Sequence, residues 1–407
     1  MKNKNQKHIN STARKFTVLQ QICNLIPTHL IGQLVQLHKS ESHARTFSHW
    51  SHLVSLIFAK LTHSFGLNDV CDALSYFSGR LCAIRGATPP SRNNLSHANR
   101  VRPAAIGEDL FWKTLEHLQQ RSPGFGRRRF PGKLKKLERT ISLLDSTVIE
   151  LVANCMDWAS HRRRKAAAKC HVRLDFQTLL PAFVLVDVAR EHDNVRAREA
   201  AAGLKKGEIL IMDRGYLDLE HFSGLSARGV FWVTRMKENL KYDLIDCRPV
   251  KPGGKVVSDE TIVLNNGLLA RRIVAWVEVD GQERQMIFLT NNQEWSAETI
   301  VELYRCRWEI EVFFKQMKQT LKLCDLMSYD ANGIRWQVWT ALLVQMIMRY
   351  LAWLSRWGHS FVRLYALVRS LVWEKRDITA ILKRYGTAEG SYRNLARPEQ
   401  AYFPGFA

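Results

Sequence analysis

A chain of 407 residues, 46% of them hydrophobic, holds enough apolar material for two or three cores, which excludes a disordered polypeptide. Sixty Lys and Arg against thirty-eight Asp and Glu leave a formal net charge of +22, a positive field that suits a polyanionic partner such as DNA, whose condensed counterions are released as phosphates are neutralised. The eight cysteines form no Cys-x-x-Cys pair and no histidine spacing completes a zinc site beside them, so reduced thiols are expected and a disulfide framework or zinc centre is not.

The N-terminus, Met1 to Lys15, is polar and basic and shows no secretion signal. The first 120 residues then read as helices joined by short turns. Phe47 to Thr62 carries Leu53, Leu56, Ile57 and Leu61 at the spacing of one helical face, and Asn68 or Asp69 is placed to cap a following helix with Val70, Ala73, Leu74 and Phe77. After the break at Gly86 to Pro90, Ser91 is expected to cap a helix that presents Arg92, Asn93, Asn94, His97 and Arg100. Two readings fit that face: a solvated polar surface, or a DNA-reading helix with side chains suited to phosphates and base edges. Arg121 to Arg139 is a Gly- and Pro-containing basic linker, either a solvated tether or a strip lying along a DNA backbone.

Beyond the linker the period changes. Ile141 to Ile149 reads as a strand with a carboxylate, Asp145, in its middle, a costly place for an ion that binds nothing. Further strands are expected at Val172 to Phe176 and Ala182 to Val188, then a helix at Asn194 to Leu204. A strand from Gly207 ends at Asp213, with Gly215 permitting a turn, and a helix at Leu217 to Ala227 and a strand at Val230 to Thr234 follow. Between Lys237 and Thr290, turn signals at Pro252-Gly-Gly254, Asn265-Asn-Gly267 and Asp280-Gly281 predict an all-β insertion.

A long helix is expected from Ser296, its cap. At about 100° per residue, Tyr304, Arg307, Glu311 and Lys318 share one face with Lys315, while Leu303, Ile310 and Phe314 are apolar. A solvated Glu311–Lys315 pair is one reading of that face and a site is the other. If Glu311 converges with Asp145 and Asp213, the three carboxylates suit two divalent cations about 3.5 to 4 Å apart, the arrangement used for phosphodiester displacement. Oxygen ligands suit Mg²⁺, with Mn²⁺ as a substitute. Trp339 to Leu354 is the most hydrophobic stretch, but Gln345 and Arg349 interrupt it, so a buried helix is expected rather than a membrane span.

These motifs resemble the bacterial insertion-sequence transposases of the IS-four type, DDE enzymes with a Tyr-Arg-Glu-Lys signature. The resemblance rests on Asp145-Ser-Thr147, Asp213-Arg-Gly-Tyr216, the β-rich insertion, and Tyr304, Arg307, Glu311 and Lys318, and covers roughly residues 140 to 330. It implies a multidomain α/β fold: a helical N-terminal DNA-binding domain (1–120), a basic linker (121–139), an RNase H-like mixed-sheet core (140–236 and 291–335) interrupted by the β-rich insertion (237–290), and a helical C-terminal region (336–407).

The resemblance further implies that Asp145, Asp213 and Glu311 bind two Mg²⁺ ions, and that Tyr304, Arg307, Lys315 and Lys318, with Arg214 beside Asp213, contact the element end. The implied reaction is cut-and-paste transposition: water cleaves one strand, the freed 3′-hydroxyl attacks the other to form a hairpin, and target joining follows. Double-stranded DNA, as terminal inverted repeats and target, is the implied partner, with a homodimer in the synaptic complex, no membrane, and a cytoplasmic, nucleoid-associated location. Some relatives hold a flipped base on a tryptophan near the position of Met286 here, where Trp276 and Trp295 are the nearby candidates. His192 and Asp193 are further candidates to approach the site, or to cap a helix. A metal-dependent nuclease that does not join, and an inactive DNA-binding regulator, are the alternative functions. The four aligned signature positions favour the transposase.

Overall fold

The computed structural model describes residues 15–40, 46–64, 66–128, 134, 137–151, 160–161, 165–188, 193–279, 281–328 and 330–386. They fall into two compact units, one drawn from 1–126, 149–166 and 314–407, the other from 127–148 and 167–313.

The first unit is helical in its described parts except at residues 149–151, 160–161, 165 and 166, which are strand. Its N-terminal portion holds α1 (Val18–Cys23), α2 (Leu30–Leu37), α3 (His49–Thr62), α4 (Leu67–Tyr76), α5 (Ser78–Cys82), α6 (Arg92–Val101) and α7 (Ala105–Arg121). Side-chain oxygens of Thr17, Ser48 and Ser91 cap α1, α3 and α6 by accepting backbone N–H groups that have no intrahelical partner. Neither Asn68 nor Asp69 caps α4: the helix starts after Gly66, and Asp69, at its third position, accepts the Gly66 N–H at 2.9 Å. In α3 burial goes beyond one face, since Ser51, His52, Ser55 and Lys60 are buried beside the leucines.

The sheet unit contributes, in chain order, α8 (Asp193–Ala200), α9 (Leu219–Ala227), α10 (Ala297–Arg305) and α11 (Trp308–Lys315), the last of which runs on in sequence into a π-turn, Gln316–Thr320, counted with the helical unit. The helical unit then closes with α12 (Ala331–Ser355), α13 (Phe361–Ser370) and α14 (Ile378–Gly386). The chain ends expected as separate regions thus share one unit: α12 packs on α3, α6, α7 and α14, and the Val18 and Leu19 N–H groups donate to Glu374 and Val372 carbonyls. α12 is long and apolar enough to cross a membrane, but 83% of its most apolar window is buried within the fold, as a core helix requires.

A ten-stranded mixed sheet supplies most of the second unit, with residues 149–151, 160–161, 165 and 166 counted with the first: β1 (Ile141–Leu151), β2 (Ser160–His161), β3 (Lys165–Asp175), β4 (Leu180–Val188), β5 (Ile209–Met212), β6 (Phe231–Arg235), β7 (Tyr242–Cys247), β8 (Val256–Leu264), β9 (Leu269–Val279) and β10 (Gln282–Thr290). The long strands run in the order β4-β3-β1-β5-β6-β10-β9-β8-β7, with β2 on the first residues of β3. β3 and β4 are antiparallel, whereas β1, β5 and β6 are parallel; the chain passes from β1 to β5 through β2, β3, β4 and α8, and from β5 to β6 through α9. This is the RNase H-like core that the resemblance implies. The insertion is all-β, but it is no separate sheet. Its meander enters the core sheet through β10, which pairs antiparallel with β6 from Phe288↔Arg235 to Thr290↔Val233. Leu210, Met212, Phe222, Trp232 and Leu289 lie in one buried cluster that joins core and insertion strands to α9.

The helix expected to run unbroken from Ser296 does begin there, with the Ser296 hydroxyl accepting the Thr299 N–H, but it is divided. Between α10 and α11 the bonds Cys306 N–H to Leu303 O, Arg307 to Tyr304, Glu309 to Cys306 and Ile310 to Arg307 all skip three residues, a tightened 3₁₀-like segment.

Candidate active site

Strand register brings the two aspartates together. In the parallel pair of β1 and β5, Leu144 lies opposite Met212, so Asp145 and Asp213 are the next residues on adjacent strands, whose spacing is about 4.8 Å. Asp213 leaves β5 in an extended conformation and precedes a 3₁₀ turn, Arg214–Tyr216, so its carboxylate stands at the carboxyl end of the sheet. The Tyr216 side chain is buried beside His171 of β3, with the hydroxyl 3.4 Å from Nδ1, which anchors that turn to the strand beyond β1.

The tightened segment supplies the third side of the site. Three residues per turn align Tyr304 with Arg307, and normal α geometry then aligns Arg307 with Glu311. The Tyr304 hydroxyl donates to Asp213 Oδ1 at 3.2 Å. One Arg307 nitrogen lies 3.4 Å from Asp145 Oδ2 and the other 2.6 Å from Glu311 Oε1, while its buried Nε has no partner among the described residues. Thus Asp145, Asp213, Tyr304, Arg307 and Glu311 are brought together, with Glu311 paired to Arg307.

Asp145 is the strained member. Burial pushes its carboxyl up to about 6, with Asp213 and Glu311 adding to the rise, while the Ser146 N–H, 2.8 Å from Oδ1, and Arg307 oppose it. Burial also raises the Tyr304 hydroxyl, which keeps it a neutral donor. Burial by itself would lower the Arg307 guanidinium, but Tyr304, Glu311, Asp145 and Asp213 hold it above its ordinary value.

Among the described residues no three His, Cys, Asp or Glu side chains are gathered closely enough to hold a metal ion as they stand. The donor set nevertheless fits a hard divalent cation: three carboxylates, two on adjacent strand ends, hold more negative charge than the single guanidinium between Asp145 and Glu311 balances.

The remaining expected residues are spread out. Arg214 is exposed in the turn after Asp213. Lys315 ends α11 and Lys318 lies in the π-turn, both counted with the helical unit. Arg92, Asn93 and Arg100 are exposed on α6, whose other side buries Leu95, Ala98 and Asn99. Trp276 is 42% exposed on β9, whereas Trp295 packs on Phe231 with ring centroids 5.0 Å apart. His192 lies outside the described residues, as do positions 129–133, 135 and 136 of the linker.

Sequence reasoning missed two supports of the site. Arg128, read as part of a basic tether or DNA-backbone strip, pairs with Glu309 of α11 at 2.9 Å and bonds the Phe176 carbonyl, and Asn292 accepts the N–H groups of Glu294 and Trp295 ahead of α10. The Asn-Asn pair after β10 was the signal for the second, since Asx side chains order turns. Arg128 carried none that distinguished it from the arginines beside it.

Residues 136–347 match the family described as Transposase DDE domain, and residues 14–84 match a domain of unknown function (DUF4372). A putative transposase of Sinorhizobium fredii, y4zB, is 28% identical over 77% of this chain and 86% of its own length. A putative transposase for insertion sequence element IS4SA of Synechocystis is 23% identical over 66% of this chain and 73% of its own. A piggyBac transposase synaptic complex with hairpin DNA, solved by cryo-EM, aligns with 10% identity and a TM-score of 0.46, covering 93% of this chain and 82% of that one. With more than half of its length matched by one model, the chain belongs to the transposase DDE domain family, divalent-metal-dependent enzymes that cut and join DNA, and within it to the transposases of bacterial insertion sequences.

Proposed function

We propose that Asp145, Asp213 and Glu311 are the catalytic carboxylates of this transposase and hold two Mg²⁺ ions, with Mn²⁺ as a working substitute. The observation that carries the reading is the register of β1 and β5, which sets the two aspartates side by side, together with an arginine that links Asp145 to Glu311. Bound at these oxygens, the ions would supply activation of water and stabilisation of the leaving oxygen. Tyr304, donating to Asp213, orients that carboxylate, and Arg307 turns its paired nitrogens to a phosphate of the scissile strand once cations balance the acids. Arg214, Lys315 and Lys318 hold the element end. Arg92, Asn93 and Arg100 make the N-terminal DNA contact.

The reaction is cut-and-paste with hairpin ends, carried out by a homodimer that pairs two terminal inverted repeats in the nucleoid and joins them to a target duplex. Trp276, exposed on the insertion, is the aromatic surface available for an unstacked base. The domain roles follow: DNA binding in the N-terminal helices, chemistry in the sheet core.

The test uses a labelled duplex bearing the terminal sequence of the element that encodes this chain. Glu311→Gln, Asp145→Asn and Asp213→Asn should each lower Mg²⁺-dependent cleavage and joining by roughly 10³-fold or more while leaving DNA affinity in place. Cleavage that survives any of the three substitutions removes that residue from the site.

A further inference from the structure

A π-turn is rare and its wide ring leaves carbonyls without the usual helical partners. Here the Leu321 N–H reaches back to the Gln316 carbonyl at 3.0 Å, and Lys322 follows in a left-handed conformation with φ +50°. Carbonyls at the end of the turn and in the residues just after it are met by donors from the end of one helix, α3. His63 Nε2 lies 2.7 Å from the Thr320 carbonyl, and Lys60 Nζ donates to the carbonyls of Lys322 at 3.2 Å and Asp325 at 3.4 Å.

The donors are themselves fixed. Arg369 donates to His63 Nδ1 at 2.9 Å, so Nδ1 is the acceptor and Nε2 carries the proton given to Thr320. Tyr365 stacks on the His63 ring, centroids 5.1 Å apart at 19°, and its hydroxyl bonds the Lys60 carbonyl. Lys60 is only 4% exposed, and burial lowers its ammonium to about 8, with Asp325 and Cys324 opposing the shift. A buried ammonium and a histidine at φ +58° are both unfavourable choices for stability alone, and an apolar helix end would be cheaper. Both become intelligible as devices for holding one backbone segment.

We propose that Lys60 and His63 are positioning residues for strand cleavage: they clamp the carbonyl end of the π-turn that presents Lys318, so the N-terminal region matched to a domain of unknown function sets the placement of a DNA-end contact. The inference rests on the reading of Lys318 as such a contact. The clamp would act after DNA is bound, on the reaction of the bound end, because overall affinity is spread over many basic residues of a +22 chain.

The experiment is a double-mutant cycle on the full chain, with single-turnover cleavage of a pre-bound element-end duplex and the affinity for the same duplex as separate readouts. His63→Ala and His63→Gln both lose the ring stacked on Tyr365 and both place a non-glycine residue at a positive φ, so their difference reports chiefly the side-chain hydrogen bond. His63→Ala should slow cleavage of bound DNA about tenfold with affinity unchanged, and His63→Gln, which keeps a donor, should recover most of the rate. In a Lys318→Ala background, His63→Ala should have no further effect. Lys60→Met enters the same cycle as a second variant in case His63→Ala fails to fold. Multiplying effects of the paired substitutions, or a loss confined to affinity, would overturn the clamp while leaving Lys318 in the site. Wild-type cleavage by Lys318→Ala would remove Lys318 and the clamp together.

Discussion

Arg271 and Arg307 are buried arginines that both face carboxylates in the sheet unit, and they are satisfied in opposite ways. Arg271, on β9, meets Asp259 of β8 through Nε at 2.7 Å and a second nitrogen at 2.5 Å, and its third nitrogen bonds the Trp295 carbonyl. Both side chains are almost wholly buried, at 3% and 6% exposure, and every guanidinium nitrogen is used. Arg307 has one close carboxylate, one at 3.4 Å and an orphaned Nε, among acids that outnumber it. A closed pair makes structure: it ties the insertion to the loop that starts α10. An open cluster holds unspent charge, and unspent charge is what a metal ion and a phosphate require.

Breaking the closed pair should have the larger effect on folding. Asp259→Asn leaves a buried guanidinium underpaired and should cost about 3 to 5 kcal/mol of stability, read as a fall in thermal midpoint. A midpoint close to that of the unmodified protein would show that the pair is dispensable. The open cluster should behave the other way. Arg307→Gln is expected to slow cleavage by roughly 10²- to 10³-fold, the scale for removing one donor to developing charge, while shifting the midpoint in Mg²⁺ much less than Asp259→Asn does. A larger loss of stability than of activity would make Arg307 a structural residue.

The smallest effect sharpens the comparison through pH. Burial raises the Asp145 carboxyl to about 6 from its ordinary value of 3.8, so the folded metal-free protein holds a proton that the unfolded chain releases. Below about 4 both states are protonated. Between about 4 and 6 the unfolded state ionises first, so the stabilising contribution is lost as pH rises and is gone above about 6. Cations need the ionised carboxylate, so stabilisation by added Mg²⁺ should grow over that same window. Melting curves from pH 4 to 7, with and without Mg²⁺, check both signs, and Asp145→Asn should flatten the metal-dependent part.

Much of the site was legible locally. A carboxylate inside an apolar β-branched run marked Asp145, an apolar strand ending before Arg-Gly-Tyr marked Asp213, and Ser91 and Ser296 announced their helices because a hydroxyl at that position satisfies N–H groups three residues on. The structure gathers Tyr304, Arg307 and Glu311 of the expected polar face around Asp145 and Asp213, but not on one uniform helix. A uniform 100° step has no room for the tightened turn at Cys306 to Ile310 or for the π-turn at Gln316–Thr320. Arg128, Lys60 and His63 were illegible because their partners lie 181, 262 and 257 residues away.

By itself the sequence determined a DNA-binding charge, the kinds of element and their order, the hairpin turns of the insertion and the three acids worth testing. All of these follow from composition or from neighbours within a few residues. Only the tertiary structure decided that Leu144 pairs with Met212 and thereby aligns two aspartates, that β10 returns the insertion to the core sheet, and that both chain ends build one helical unit around α12. Those outcomes depend on strand register and on burying apolar faces contributed by distant segments, interactions that no local period encodes.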